Sequence, residues 1–237
     1  MRKKEIENLL KQEIKIQKDI IALKPLKEIP KNIPSYDGCA TPGLCAQIGE
    51  ILNDGSVFYI KREHNGCYEG LIATGVCSVD REEYLSEVTT FMEMSPYHTD
   101  LDTAMHYYDT HVKTIPPPET ENACLLAGPL SKIDDPELVL IFCTPIQAEI
   151  LIRAQSYLGS MVHGFGGNGG CIFNIRYSFV TREPSFSTSD VAWRMFIGLN
   201  GNELTVTYPY EKLIAAAPHL KPINDYIDNM TAMMNNT

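Results

Sequence analysis

The stretch ELVLIFCTPIQAEILIRA, residues 137–154, decides the fold. Glu137–Cys143 is a continuous apolar run of strand length, and Thr144-Pro145-Ile146-Gln147 follows it at once. Thr144 offers a capping hydroxyl, Pro145 suits a first helical turn, and Gln147 completes a capping box. The spacing predicts a buried strand and then a helix over about 145–158, closed by Gly159.

Working outward, residues 4–17 read as an amphipathic helix with Ile6, Leu9, Leu10 and Ile14 on one face. Asp19–Leu26 reads as a buried strand, followed by a loop punctuated by Pro30 and Pro34. Pro42 suits the first turn of a helix carrying Cys45, Ile48, Ile51 and Leu52, which Asn53-Asp54-Gly55 stops. Ser56–Lys61 supplies a strand, Asn65-Gly66 a turn, and Cys67–Thr74 a short helix ending at Gly75. Asp80 and Glu83 form a capping box for a helix over 81–93, and a further helix covers 101–112. In the last third, 171–179 and 203–208 read as strands, and 210–216 and 222–234 as short helices.

Strands and helices mix without a steady βαβ rhythm, which predicts an α+β fold of mixed sheet with packed helices. An N-terminal helix through residue 18 precedes a single α+β domain over 19–237. The Ile115-Pro116-Pro117-Pro118 run marks a boundary, near 115–118, between two intimately packed halves. A chain of 237 residues buries a substantial core in this form. Its net charge of −10 argues against broad nucleic-acid binding, which needs a basic face. No run of 18 apolar residues and no signal-peptide hydrophobic region occurs, so we expect a cytoplasmic protein without membrane spans.

Seven cysteines in a reducing compartment read as core thiols, metal ligands or reactive groups rather than a disulfide framework. Three lie in glycine-bearing turns: Cys45 in PGLCAQIGE, Cys67 in NGCYEGLIATG and Cys171 in GGNGGCIFNIRY. Thiols from such separate stretches can converge on one site, as soft metals and clusters require. Cys39, six residues before Cys45, is a fourth candidate ligand. Cys67, after Asn-Gly and near a helix start, could instead be a nucleophilic thiolate. Cys77, Cys124 and Cys143 lie in apolar surroundings and read as core. No CxxC pair, HExxH helix or GxSxG elbow occurs.

Residues 164–170, GFGGNGG, contain the string GxGxxG, but the segment before it reads as helix and the one after as strand. A dinucleotide loop needs the reverse order, so Gly164, Gly166 and Gly167 are read either as a flexible connection or as close backbone neighbours of a ligand. His163, next to them, is the candidate acid–base group. His98, His106 and His111 miss metal-ligand spacing; Asp102 and His106 alone share a helix face. Arg194 is a candidate anchor for an anionic ligand, with Asp190 four residues earlier as the alternative partner.

Several of these pieces together resemble the family known as domain of unknown function 169, found in many archaea and anaerobic bacteria. They are LCAQIGE, GCYEGLIATG, GPLSKIDDPELVLIFCTPIQAEILIRA, GGCIFNIRY and NELTVTYPYEKL, spread over about 20–213. The resemblance implies an α+β cytoplasmic protein and brings no established activity. It matches Cys45, Cys67 and Cys171 to cysteine positions that recur in such proteins. Near 185–194 this chain departs from it, reading Ser-Thr-Ser-Asp-Val-Ala-Trp-Arg where many members carry a glycine–cysteine-rich turn.

From these readings we expect a protein that binds a metal or redox cofactor through Cys45, Cys67 and Cys171, with an iron–sulfur cluster as the first guess. The alternative is a metal-free enzyme or binding protein for a small anionic organic molecule, with Cys67 as nucleophile or pocket wall. Either way a small molecule or a redox partner is expected, and a homo-oligomer is compatible with the sequence.

Overall fold

The computed structural model describes residues 2–38, 43–67, 69–78, 80–86, 99–119, 121–159 and 169–235. In chain order the elements are α1 (Lys3–Gln12), β1 (Ile21–Leu26), α2 (Leu44–Asp54), β2 (Phe58–Ile60) and α3 (Glu69–Ala73). Then come α4 (81–86, as far as described), α5 (Leu101–Thr114), β3 (Cys124–Pro129), β4 (Leu138–Cys143) and α6 (Pro145–Tyr157). A π-helix over Gly170–Arg176 leads into α7 (Tyr177–Thr181), followed by β5 (Ser185–Ser187), α8 (Val191–Ile197), β6 (Leu204–Pro209) and α9 (Tyr210–Asn235). The described strands form one antiparallel sheet in the order β2-β3-β1-β4-β6-β5, so the fold is α+β.

The sheet is covered on both faces, which is why β3 and β4 are buried at every residue and read as unbroken apolar runs. Successive side chains of a strand point to opposite faces. Accordingly Ala22, Val139, Ile141 and Val206 pack with α1, α6 and α9, whereas Ile21, Leu23, Leu138, Leu140 and Phe142 pack with α2, α3, the π-helix and α8. Pro25 fits a central strand because β1 pairs with β4 only over Ile21–Leu23, leaving Lys24–Leu26 paired to β3 alone.

Residues 137–154 behave as their sequence demands. Thr144 caps α6 through its side chain, Gln147 answers to the Thr144 N–H at 2.8 Å, and Pro145 takes the first turn. The Gln147 amide also donates to the carbonyls of Ile14 and Lys15, tying α6 to the end of the N-terminal segment. There α1 stops at Gln12, shorter than the periodicity predicts, because the chain turns at Lys15; Ile14 and Ile16 still reach the core. Asp80 caps α4, accepting from the Glu83 N–H at 2.8 Å. The rest of the helix expected over 81–93 lies outside the described residues.

Two expectations are corrected. Residues 171–179 are helical, not a strand: every residue of Gly170–Arg176 is buried, so no amphipathic period survives, and Ile172, Phe173 and Ile175 mimic strand composition. The two short helices after 210 are one helix, α9, with Pro218 and Pro222 inside it. Both prolines are exposed, so the backbone hydrogen bonds they remove fall on the solvent side, where water can replace them. No helix among the described residues is long and apolar enough to cross a membrane.

Candidate functional site: a thiol cluster

Four chain segments meet on the second face of the sheet. Cys45 sits in the first turn of α2, Cys67 just before α3, Cys171 in the first turn of the π-helix, and Asp190 at the N-cap of α8. The start of α2 lies directly on Cys67: a Cβ at Gly43 would stand 2.9 Å from the Cys67 Cβ and 3.6 Å from its sulfur, so only glycine admits this approach. At the other side, a Cβ at Gly170 would stand 2.5 Å from the Trp193 indole. Asp190 fixes that junction with both carboxylate oxygens: one accepts from the Trp193 N–H at 2.8 Å and the other from the Gly170 N–H at 3.2 Å.

The three thiols feel one another. Burial is the largest cause raising the pKa of each, and nearby negative groups add to it. For Cys171 these are Cys45, Cys67, Glu69 and Asp190; for Cys67 they are Glu69, Cys45 and Asp190. Cys45, with Asp190 its strongest charged neighbour, is pushed up to about 12. Cys45, Cys67 and Cys171 are therefore near enough to influence one another's ionisation. Burial, and then the Glu69 charge, push the Cys67 thiol well above its ordinary pKa, which works against a thiolate at this helix start. Cys39 lies outside the described residues. Among the described residues, no group of three or more His, Cys, Asp or Glu side chains is arranged so that it could hold a metal ion. Thiols are donors of the kind a soft cation takes, but as placed the described ones do not form such a group.

Two members of the site escaped the sequence reading. Glu69 is raised to about 7 by burial and by Asp190, against the opposing pull of Arg176 and a hydrogen bond from Tyr84. Arg176, only 3% exposed, donates from Nε to the Pro116 carbonyl at 3.2 Å. Its Nη2 is buried, and among the described residues it has no hydrogen-bond partner. Burial lowers the guanidinium to about 10, with Glu69 the main opposing influence. The only sequence signal for Arg176 was its place five residues after Cys171, a spacing that has meaning only in a π-helix.

Arg194 is occupied elsewhere. Its guanidinium donates to the carbonyls of Thr188 at 2.7 Å, Glu203 at 2.9 Å and Asn200, closing the loop around the end of α8. Asp190 is consequently not its partner. Cys124 and Cys143 are core thiols, while Cys77 is half-buried beside the second core. Asp102 and His106 are exposed on α5. His98, His163, Gly164, Gly166 and Gly167 lie outside the described residues. A surface hollow lined by Gln17, Lys18, Asp19, Leu52, Asn53 and Ile197 opens at the C-terminal ends of α2 and α8, away from the cysteines.

The chain belongs to the domain of unknown function 169 family, described as uncharacterised ArCR, whose model matches residues 9–218. Neither curated proteins nor solved structures gave a match.

Proposed function

We propose that the cluster of Cys45, Cys67 and Cys171 receives a soft metal ion or an iron–sulfur cluster, with Cys39 as a fourth candidate ligand, in a cytoplasmic protein serving a small molecule or a redox partner. The observation that carries this reading is the gathering of three thiols from distant stretches beside Glu69 and Asp190, each discouraging the others from ionising. A bound cation reverses that balance: it displaces the thiol protons and turns mutual repulsion into shared attraction. Purification of the full chain without oxygen tests it. Stoichiometric iron or another soft metal is expected, lost in Cys67→Ser; a colourless, metal-free product would defeat the proposal.

A metal-free site for a small anionic molecule is the second reading, favoured by the buried, incompletely bonded Arg176. In that reading Cys67 is pocket wall rather than nucleophile, since its raised pKa leaves little thiolate at neutral pH. His163 keeps its proposed role as the acid–base group.

A further inference from the structure

Arg176 closes the π-helix in which Cys171 is the second residue. In this winding, residue i+5 bonds back to residue i, so the two stack one turn apart on the same side. Cys171 and Arg176 have that spacing, and Glu69 links them, its charge bearing on the guanidinium as well as on Cys171 and Cys67. In an α-helix the stacked pair would be i and i+4, and Arg176 would turn away from the sulfur.

The position of the head group is fixed from outside the helix. The Pro116 carbonyl, from the proline run after α5, takes Nε at 3.2 Å. Glu69 acts on the guanidinium as an opposite charge, yet among the described residues Nη2 has no acceptor. A buried donor left unbonded costs about 1–3 kcal/mol, more when charged, and folded proteins rarely tolerate one without a reason.

We propose that Arg176 anchors the carboxylate of a small organic monoacid, with the rest of that molecule lying toward Cys171 and Cys67. A planar carboxylate matches the free edge of a guanidinium already held on one side. Charge selects a monoacid. Glu69 already faces the guanidinium and Asp190 stands near Glu69, so a phosphate dianion would add two charges where a carboxylate adds one. The subsite does not depend on a metal at the thiols.

The test uses the full chain, with acetate, pyruvate and inorganic phosphate titrated separately at matched ionic strength. Melting temperature and the fluorescence of Trp193, the sole tryptophan, are the two readouts; its ring packs on Gly170 at the start of the π-helix. Acetate or pyruvate raises the melting temperature and perturbs Trp193, phosphate does neither, and Arg176→Met weakens carboxylate binding roughly 10–100-fold. Arg176→Lys, which keeps the charge but not the fork, also weakens it and decides the matter if the methionine variant fails to fold. No response to either carboxylate, an equal response to phosphate, or undiminished binding in the lysine variant overturns the proposal. Metal content measured on the same wild-type sample keeps this outcome separate from that of the thiol reading.

Discussion

At Glu69, burial and the Asp190 carboxylate keep the proton on up to about pH 7, whereas the unfolded chain releases it near its ordinary 4.5. The folded state then binds more protons between those values, so stability falls as pH rises from about 4.5 to 7. Glu69→Gln removes this dependence. Chemical denaturation of the two proteins at pH 5 and pH 8 should show the variant gaining on the wild type by on the order of 1–3 kcal/mol at the higher pH. Equal pH profiles would mean that Glu69 is not held in its acid form. Gly43 makes a second prediction at this scale. The added methyl of Gly43→Ala meets the Cys67 Cβ at 2.9 Å, and the overpacking costs about 1–3 kcal/mol by the same measurement.

Between elements, Asp190 joins α8 to the π-helix while its charge bears on the cysteines. Asp190→Ala removes a helix cap, costing about 0.5–2 kcal/mol, and frees the Gly170 N–H. It also takes away the largest charge holding up the Cys45 pKa, which should fall. Iodoacetamide should then alkylate Cys45 faster than in the wild type at pH 8, as followed by mass spectrometry of the digested protein. Asp190→Asn, which drops the charge but keeps a side-chain acceptor, separates the two effects. The elements differ in how plainly the sequence declares them. Thr144, Pro145 and Gln147 announce α6 because capping is local chemistry within four residues. The π-helix is hidden because its contacts are tertiary: Asn174 donates to the Thr205 carbonyl, and the Ser185 hydroxyl reaches back to Asn174, across 31 and 11 residues of chain. The cysteines could be nominated from their glycine neighbours, since close approach demands a missing Cβ. Glu69 and Arg176 could not, because their importance arises only from the fold's bringing their opposite charges together.

Across the whole molecule, the sheet separates two cores that answer to different demands. The α1, α6 and α9 side is aliphatic packing, to which α9 contributes Leu213, Ala216, Leu220 and Ile223. The α2, α3 and α8 side includes Cys171, Ile175 and Trp193 and so carries the site. Leu220→Ala should therefore lower global stability by about 2–5 kcal/mol without altering the Trp193 fluorescence of the folded protein. A changed native spectrum would show that the two cores are not independent.

The strands at the two margins of the sheet, Phe58–Ile60 and Ser185–Ser187, are only three residues long. Such abbreviated borders offer a passing polypeptide too few unpaired amides to extend the ladder, which guards the protein against edge-to-edge aggregation.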